Sequence, residues 1–534
     1  MTTWRAARAR VSCWVSVRWV AAWWVLVLLP VYAPAQETPA NGVRGPDAGS
    51  PFDYAELRRR AEALARESYQ APEDTLPAAL RELSYDHYRD IRFIPEQALW
   101  RDQGLPFQMQ FFHRGFLSVN RVGISLVENG VATPLAFSAE RFDYGKNTFA
   151  EPLPADLGYA GFRIHYPINR PDYHDEVAVF LGDSYFRAVG AGQHYGLSVR
   201  GLAVDTGLSK PEEFPWFREF WIEKPGRDAR TLRLYALLDS DSLTGAYRFE
   251  VVPGSETLID VEAELFFRRP VERLGIAPLT SMYLHGAQSD RQFDDFRPEV
   301  HDSDGLAVAR SNGEWVWRPL ANAHRLRMSI YQEDSPRGFG LLQRGREFAR
   351  YQDLEAEYQR RPSVWVEPMG GWGRGGVQLV EIPSDSEKYD NIVAFWVPEE
   401  KPVAGATARF AYRLYFTLER PAVPPMGKVA STWVGAGGLE DLDSSRRRFV
   451  VEFNGRELSR IASDQPPSAL VTTSAGEVVN TVVQWNRYSS AWRVAFELLP
   501  GDARLAELRV LLQGDEKRSL TETWSYQWIS KDTQ

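Results

Sequence analysis

Period-two alternation of apolar and polar residues dominates this chain beyond residue 100. The clearest segments are F-Q-M-Q-F (107–111), V-G-I-S-L (122–126), T-L-I-D-V-E-A-E-L-F-F (257–267) and R-F-A-Y-R-L-Y-F (409–416). Such alternation is typical of strands that bury one face, because successive side chains point to opposite sides of a sheet. Turn residues such as E-N-G (128–130) separate the segments, and no long helical pattern alternates with them. The sequence therefore predicts an all-β chain, with antiparallel sheets packed as a large β-sandwich.

Helical signals are confined to a short region before the strands. Asp53 and Glu56 have the spacing of a capping box, and Tyr54, Leu57, Ala61 and Leu64 follow at helical spacing. A second short helical piece is predicted between Pro77 and Leu83. We expect these helices to accompany the sandwich, whose domain we assign to residues 52–417.

A second, smaller domain is predicted after a proline-rich linker at 418–428, which contains three prolines. Residues 429–534 hold the strand-like segments F-V-V-E-F (449–453), V-V-N-T-V-V-Q-W (478–485), W-R-V-A-F-E-L (492–498) and L-R-V-L-L (508–512). A short series of such strands is typical of a small immunoglobulin-like β-sandwich.

The first 35 residues have the organisation of a secretory signal peptide. Four arginines precede the apolar run at 19–29, Pro30 ends that run, and A-P-A (33–35) supplies small residues for cleavage. An uncleaved membrane anchor is the alternative, although the apolar run is short for a spanning helix. After cleavage we expect no membrane span, and residues 36–51 are predicted to form a disordered tether.

Composition excludes several classes of function. The single cysteine, Cys13, precedes the apolar run, so a cleaved chain has no thiol for catalysis, disulfides or metal binding. The net charge of −9 becomes −13 without the four signal-peptide arginines, which argues against a nucleic-acid partner. The eight histidines lack zinc-site spacing, D-S-D-G (302–305) lacks the ligand order of a calcium loop, and G-A-G-Q-H-Y-G (190–196) lacks the dinucleotide spacing. We predict neither a metal nor a cofactor.

Paired carboxylates are the chemistry that this composition favours. The stretch 289–305 contains six carboxylates, at Asp290, Asp294, Asp295, Glu299, Asp302 and Asp304. Cleavage of a glycosidic bond needs one acid to protonate the leaving oxygen and one base to activate water. Sugar binding also uses aromatic faces, for which Trp365, Trp372 and Trp396 are candidates. A solvated acidic turn and buried core tryptophans are the alternatives.

Several longer segments resemble one known family, the periplasmic glucans biosynthesis proteins G and D of Gram-negative bacteria. These segments are Y-R-D-I-R-F (88–93), L-G-D-S-Y-F-R-A-V-G (181–190), D-D-F-R-P-E-V-H-D-S-D-G-L (294–306), R-R-P-S-V-W-V-E-P (360–368) and V-E-I-P…D-N-I-V-A-F-W (380–396). The resemblance covers essentially the whole chain after the signal peptide. It implies a periplasmic protein with a large N-terminal β-sandwich that carries a cleft, followed by a small immunoglobulin-like domain.

The resemblance also implies site residues. The general acid would be the aspartate of the D-N-I motif, Asp390. The base would be an aspartate of H-D-S-D-G, best matched by Asp302, with Asp304 as the alternative. Tyr358, just before R-R-P-S, would relay a proton through water and sugar hydroxyls.

Two further predictions concern the surroundings of Asp390. Arg361 and Glu387 join the three tryptophans as candidate substrate-binding residues. An acid must keep its proton near neutral pH, so we expect the pKa of Asp390 to be raised. Apolar neighbours such as Ile392, or a carboxylate such as Glu387, could raise it.

The function implied is a role in making osmoregulated periplasmic glucans, whose backbone is β-1,2-linked glucose. One reading is an inverting glycoside hydrolase or transglycosylase that acts on this β-1,2-glucan. The alternative is a non-catalytic glucan-binding factor, or a scaffold for the inner-membrane glucan synthase. The sequence does not separate hydrolysis from transfer, and the absence of an adjacent arginine pair favours protein G over protein D.

Overall fold

The structure is a computed structural model that describes residues 49–289, 293–419, 426–438 and 443–530. The predicted signal peptide and residues 36–48 of the predicted tether lie outside these ranges, as does most of the predicted linker. Residues Ser50–Pro51, at the end of the predicted tether, form a short strand that pairs with Val131 and Ala132. In the described ranges we find no helix with the length and hydropathy needed to cross a membrane.

Two large sheets form the sandwich that the sequence predicts. In spatial order, the larger sheet contains Ser50–Pro51, Val131–Pro134, Gly123–Glu128, Trp216–Glu223, Leu232–Asp239, Leu243–Val252, Thr257–Phe267, Thr407–Thr417, Ser363–Pro368, Gly338–Leu342, Gly305–Ala309, Trp315–Pro319, Thr523–Ile529, Leu505–Gln513 and Ser468–Thr473. The second sheet contains Arg327–Asp334, Arg374–Glu381, Ile392–Pro398, Leu274–Ser281, Ser198–Arg200, Tyr185–Ala188, Tyr173–Leu181, Tyr159–Arg170 and Gln108–His113, with Leu202–Val204 paired to Leu274–Ser281. The pairings are antiparallel except at two places in the larger sheet.

The main core lies between the two sheets. Phe162 and Phe180 of the second sheet meet Phe220 and Phe249 of the larger sheet, with ring centroids 4.9 and 5.4 Å apart. Phe186 packs against Phe249 at 5.5 Å. Burial of such rings removes a large apolar area from water, so this interface is the main source of stability in a chain with no disulfide.

The helices run along Tyr54–Ala65, Ala78–Arg81 and Tyr85–Arg89, and short 3₁₀ turns lie at Pro95–Gln97, Ala139–Arg141, Phe348–Arg350, Tyr358–Arg360, Leu458–Arg460 and Asp515–Lys517. The first helix begins as predicted, because the Asp53 carboxylate accepts a 2.7 Å hydrogen bond from the Glu56 N–H. The Glu56 carboxylate pairs with Arg59 rather than completing the capping box. Leu57 and Ala61 bury this helix against the larger sheet.

Replacing Asp53 by alanine is expected to lower the free energy of unfolding by about 1 kcal/mol, because the Glu56 N–H loses its acceptor. Asparagine at position 53 can still cap the helix, so that variant is the matched control. Urea unfolding curves of both variants measure the difference. An alanine variant as stable as the asparagine variant would show that the cap contributes nothing.

The C-terminal region forms the predicted immunoglobulin-like sandwich, but it shares a sheet with the large domain. Its four-stranded sheet runs in the order Lys428–Gly437, Asp443–Asn454, Ala491–Leu499 and Glu477–Asn486. The opposing layer is the end of the larger sheet, where Trp524 and Tyr526 pack on Phe449 at 5.8 and 5.3 Å. The link is a parallel pairing in which Val316 faces Thr523 and Trp317 faces Trp524.

Candidate functional site

Asp390 lies at the end of a loop that enters the second sheet at Ile392. Its position is set by the next residue, because the buried Asn391 side chain bonds to main-chain atoms of two other segments. Asn391 Oδ1 accepts from the Tyr283 N–H at 2.8 Å, and Asn391 Nδ2 donates to the carbonyls of Tyr283 and Ile382 at 3.0 and 3.1 Å. Asn391 therefore fixes the backbone directly beside Asp390.

Asp302 is held by the same backbone segment. A two-stranded ladder pairs Tyr283–His285 with Val300–His301, and the Asp302 N–H donates to the carbonyl of Met282 at 2.8 Å. The Asp302 side chain is 6% exposed, and Arg361 donates to its carboxylate. The chain around Tyr283 thus holds Asp302 on one side and Asp390 on the other.

The surroundings of Asp390 favour its protonated form, mainly through burial. The side chain is 32% exposed, and protein covers the rest of it. This burial raises the pKa of Asp390, and repulsion from Asp302 acts in the same direction. Arg187, whose guanidinium is 4.0 Å away, is the strongest opposing influence on this pKa. Within the described ranges no hydrogen bond joins the Asp302 and Asp390 carboxylates, so the two interact through space.

Asp304, the alternative base, faces a different neighbourhood. Its Oδ2 accepts from the backbone N–H groups of Arg344 and Gly345 at 3.1 and 3.3 Å. The Arg344 side chain continues to the buried Glu522 of the C-terminal region at 2.6 Å. Asp304 therefore fastens a loop to the sandwich, while Asp302 is the member of the pair that influences Asp390.

Tyr358 belongs to the same cluster through Glu387 and Arg361. The Tyr358 hydroxyl donates to Glu387 Oε2 at 2.6 Å, and the Arg361 guanidinium lies 4.2 Å from its ring centroid. Burial raises the pKa of Tyr358, and the hydrogen bond to Glu387 adds to this shift. The phenol therefore keeps its proton near neutral pH. Arg361 joins Tyr358 to Asp302, so three predicted residues, Arg361, Tyr358 and Glu387, are brought together with Asp302.

The acidic stretch is organised by Arg297. Its guanidinium pairs with Asp295, Asp353 and Glu387 at 2.7, 2.8 and 2.8 Å, which joins three loops. Arg297 holds the pKa of Asp295 down at about 2. Arg297 therefore neutralises several carboxylates of this region, whereas Arg291 lies outside the described residues. Glu387 was predicted to raise the pKa of Asp390. Its carboxylate instead accepts a hydrogen bond from Tyr358 and pairs with Arg297.

The three tryptophans are core residues. Trp365 is 2% exposed and stacks on Trp315 at 5.4 Å, Trp396 is fully buried, and Trp372 is 8% exposed with its indole N–H bonded to the Ala411 carbonyl. A buried ring presents no face to a sugar. We therefore assign these rings to packing and correct the prediction that they are substrate platforms.

Sequence reasoning missed the arginines beside Asp390. Arg187 lies on strand Tyr185–Ala188, and Arg200 on the next strand donates to Thr280 at 3.0 Å. Burial raises the pKa of Tyr185 to about 12, with Asp390 contributing and Arg200 opposing. The signal lay in S-Y-F-R-A, where period two places Tyr185 and Arg187 on the sheet face opposite the buried Phe186.

Comparison with known proteins gives one consistent family. Residues 52–528 match the model of "Periplasmic glucan biosynthesis protein, MdoG". "Glucans biosynthesis protein G" of Shewanella sp. (strain MR-4) is 48% identical over 507 residues, which is 94% of this chain and 91% of that protein. Proteins of the same name from Rhodopseudomonas palustris and Vibrio cholerae are each 47% identical, covering 92% and 91% of this chain and 96% and 88% of their own lengths.

Proposed function

This chain belongs to the periplasmic glucan biosynthesis family MdoG and so takes part in glucan biosynthesis; from that premise we propose that it is an inverting glycoside hydrolase or transglycosylase of the β-1,2-glucan backbone. The observation that carries the proposal is Asp390, a carboxyl group whose pKa is raised beside a second carboxylate. A structural aspartate gains nothing from that environment, whereas a general acid needs it. Its working compartment would be the periplasm.

In this proposal Asp390 donates its proton to the glycosidic oxygen as the bond from that oxygen to the anomeric carbon breaks. A water molecule or sugar hydroxyl attacks the opposite face of the anomeric carbon, and its proton ends on Asp302. Arg361 supplies the counter-charge of this base. Inversion would require room between the Asp302 and Asp390 carboxylates for the attacking molecule.

Tyr358 would serve as the relay between the attacking molecule and Asp302. Its hydroxyl keeps its proton near neutral pH, so it can accept one proton and donate another. Arg361 contacts both Tyr358 and Asp302, which keeps the two ends of the relay in fixed relation. In the structure the Tyr358 hydroxyl donates its proton to Glu387, so in the proposed relay that proton would pass instead to a water or sugar hydroxyl that leads to Asp302.

The test is incubation of the purified protein with linear β-1,2-glucan, followed by separation of products by size and counting of reducing ends. Hydrolysis adds one reducing end for each bond cleaved. Transfer between chains and cyclisation by intramolecular transfer both conserve the number, and the sizes of the products distinguish them. If the polymer binds but is not altered, the proposal of an enzyme is rejected. The alternatives that remain are a non-catalytic glucan-binding factor or a scaffold for the inner-membrane synthase.

Replacing Arg187 by glutamine is expected to move the alkaline limb of the pH–activity profile to higher pH. Arg187 lowers the pKa of Asp390, so removing its charge raises that pKa, and the acid keeps its proton further into the alkaline range. Initial rates measured across a pH series give the pH at which the alkaline limb falls. Arg374→Gln, at an exposed position, is the control, and an unmoved limb in Arg187→Gln would refute the influence of Arg187 on the acid.

A further inference from the structure

A row of side chains crosses the outer face of the second sheet and leads away from Asp390. Gln110, Arg163, Val179 and Arg187 are in register on four neighbouring strands. The residues that flank them along these strands are core residues, namely Met109, Phe111, Phe162, Ile164, Ala178, Phe180, Phe186 and Ala188. Because alternate residues point to opposite faces, the row lies on the face away from the core. Arg187 ends the row beside Asp390.

The other end of the row opens into a cavity of about 1230 Å³. Gln110 and Arg163 line it, together with Gln108, His165 and Tyr173. From Gln110 to Arg187 there are three inter-strand spacings, about 14 Å in total. The cavity therefore lies within reach of a polymer that occupies Asp390, but beyond the reach of a single sugar.

The cavity wall contains polar atoms that the protein leaves unsatisfied. In the described part of the chain Arg163 Nε, His165 Nε2 and His174 Nε2 are buried without a hydrogen-bond partner. The other nitrogen of His165, Nδ1, lies 3.2 Å from the His174 carbonyl and must donate to it. His165 Nε2 is therefore an acceptor in the neutral ring, which burial favours by lowering the pKa of His165. Buried polar groups normally have partners, so water or a bound molecule would supply them at this wall.

The chemistry of the wall matches a saccharide. The two glutamine amides and the Arg163 Nε–H can donate, the glutamine oxygens and His165 Nε2 can accept, and a sugar hydroxyl does both. Tyr173 is 61% exposed at the rim, where a ring can pack on the apolar face of a sugar. A simple anion fits poorly, because Arg163 is already paired with Glu176 at 2.9 Å and the acceptors would repel it.

We propose that this cavity is a distal glucan-binding site, joined to Asp390 by the row from Gln110 to Arg187. The proposal rests on the function proposed above, because the ligand is the same glucan. A long glucan chain would occupy both ends at once, so the site would select substrates by length.

The test is isothermal titration calorimetry with two linear β-1,2-glucans, one too short to span the row and one several times longer. The double variant Gln110→Ala/Tyr173→Ala is expected to bind the long glucan about tenfold more weakly, since it loses hydrogen bonds and a ring contact. The short glucan, bound near Asp390, reports whether that region remains intact. Gln484→Ala/Tyr488→Ala, at exposed positions of the C-terminal region, is the matched control.

The distal site would be overturned if the parent protein binds both glucan lengths equally. It would also be overturned if the double variant binds the long glucan as tightly as the parent does. Processing of glucan by either of these proteins would leave the proposed function standing. Conversely, length-dependent binding that the double variant loses, in a protein that processes no glucan, would retain the distal site and reject the catalytic function.

Discussion

Asp390→Asn is expected to reduce the rate of β-1,2-glucan processing by about a thousandfold, within the range by which positioned general acids accelerate reactions. Asparagine keeps the size of the side chain but carries no acidic proton. The glycosidic oxygen would then leave without protonation. Product sizes and reducing ends, followed over long incubations, measure the residual rate against the parent.

The loss should not come from unfolding, because burial disfavours the charged form of Asp390 and a neutral amide removes that cost. Thermal unfolding of Asp390→Asn is therefore expected at or above the parent temperature. Asp464→Asn, at an exposed position of the C-terminal region, controls for the substitution itself. Activity of Asp390→Asn within a few fold of the parent would reject Asp390 as the acid.

Asp302→Asn is expected to cause a loss of about a hundredfold or more, because the attacking molecule would lose its base. It should also move the alkaline limb of the residual activity to lower pH. Asp302 raises the pKa of Asp390 by repulsion, so removal of its charge lets Asp390 lose its proton earlier as the pH rises. This shift of the alkaline limb is opposite in direction to the shift expected for Arg187→Gln. One pH series of initial rates measures both shifts.

Asp304→Asn is the matched control for Asp302→Asn, two residues away. Its carboxylate bonds to the backbone at Arg344 and Gly345, so the expected effect is on stability, measured by thermal unfolding. The limb of its pH profile should stay in place. If Asp304→Asn loses activity and Asp302→Asn keeps it, the assignment of the base is reversed.

The fold was readable from local patterns because it is built from them. The helix after Asp53, the turn at Asn129 and Gly130, and the strand Thr257–Phe267 follow from a cap, two residues with positive φ, and period two. The pairing of Trp317 with Trp524 was not readable, because no local signal relates strands two hundred residues apart.

The candidate site, too, could be predicted from the sequence only in part. Motifs located Asp302, Tyr358 and Asp390, but the choice between Asp302 and Asp304 needed their partners, Arg361 and the loop at Arg344. The tryptophans were misassigned because ring type does not reveal burial: Trp396 lies on the core side of its strand and Trp365 packs beneath the C-terminal region. Arg187 was missed because its importance comes from a neighbour more than two hundred residues away.

The place of strand Thr523–Ile529 in the larger sheet constrains the order of events when the protein is made. The strand lies inside the sheet, between Trp315–Pro319 and Leu505–Gln513, yet it leaves the ribosome after every other strand described. Until it arrives, the neighbouring strands expose unpaired N–H and C=O groups, and Phe449 and Phe496 lack the Trp524 ring. The larger sheet therefore stays incomplete until this strand, the last one described, has been made.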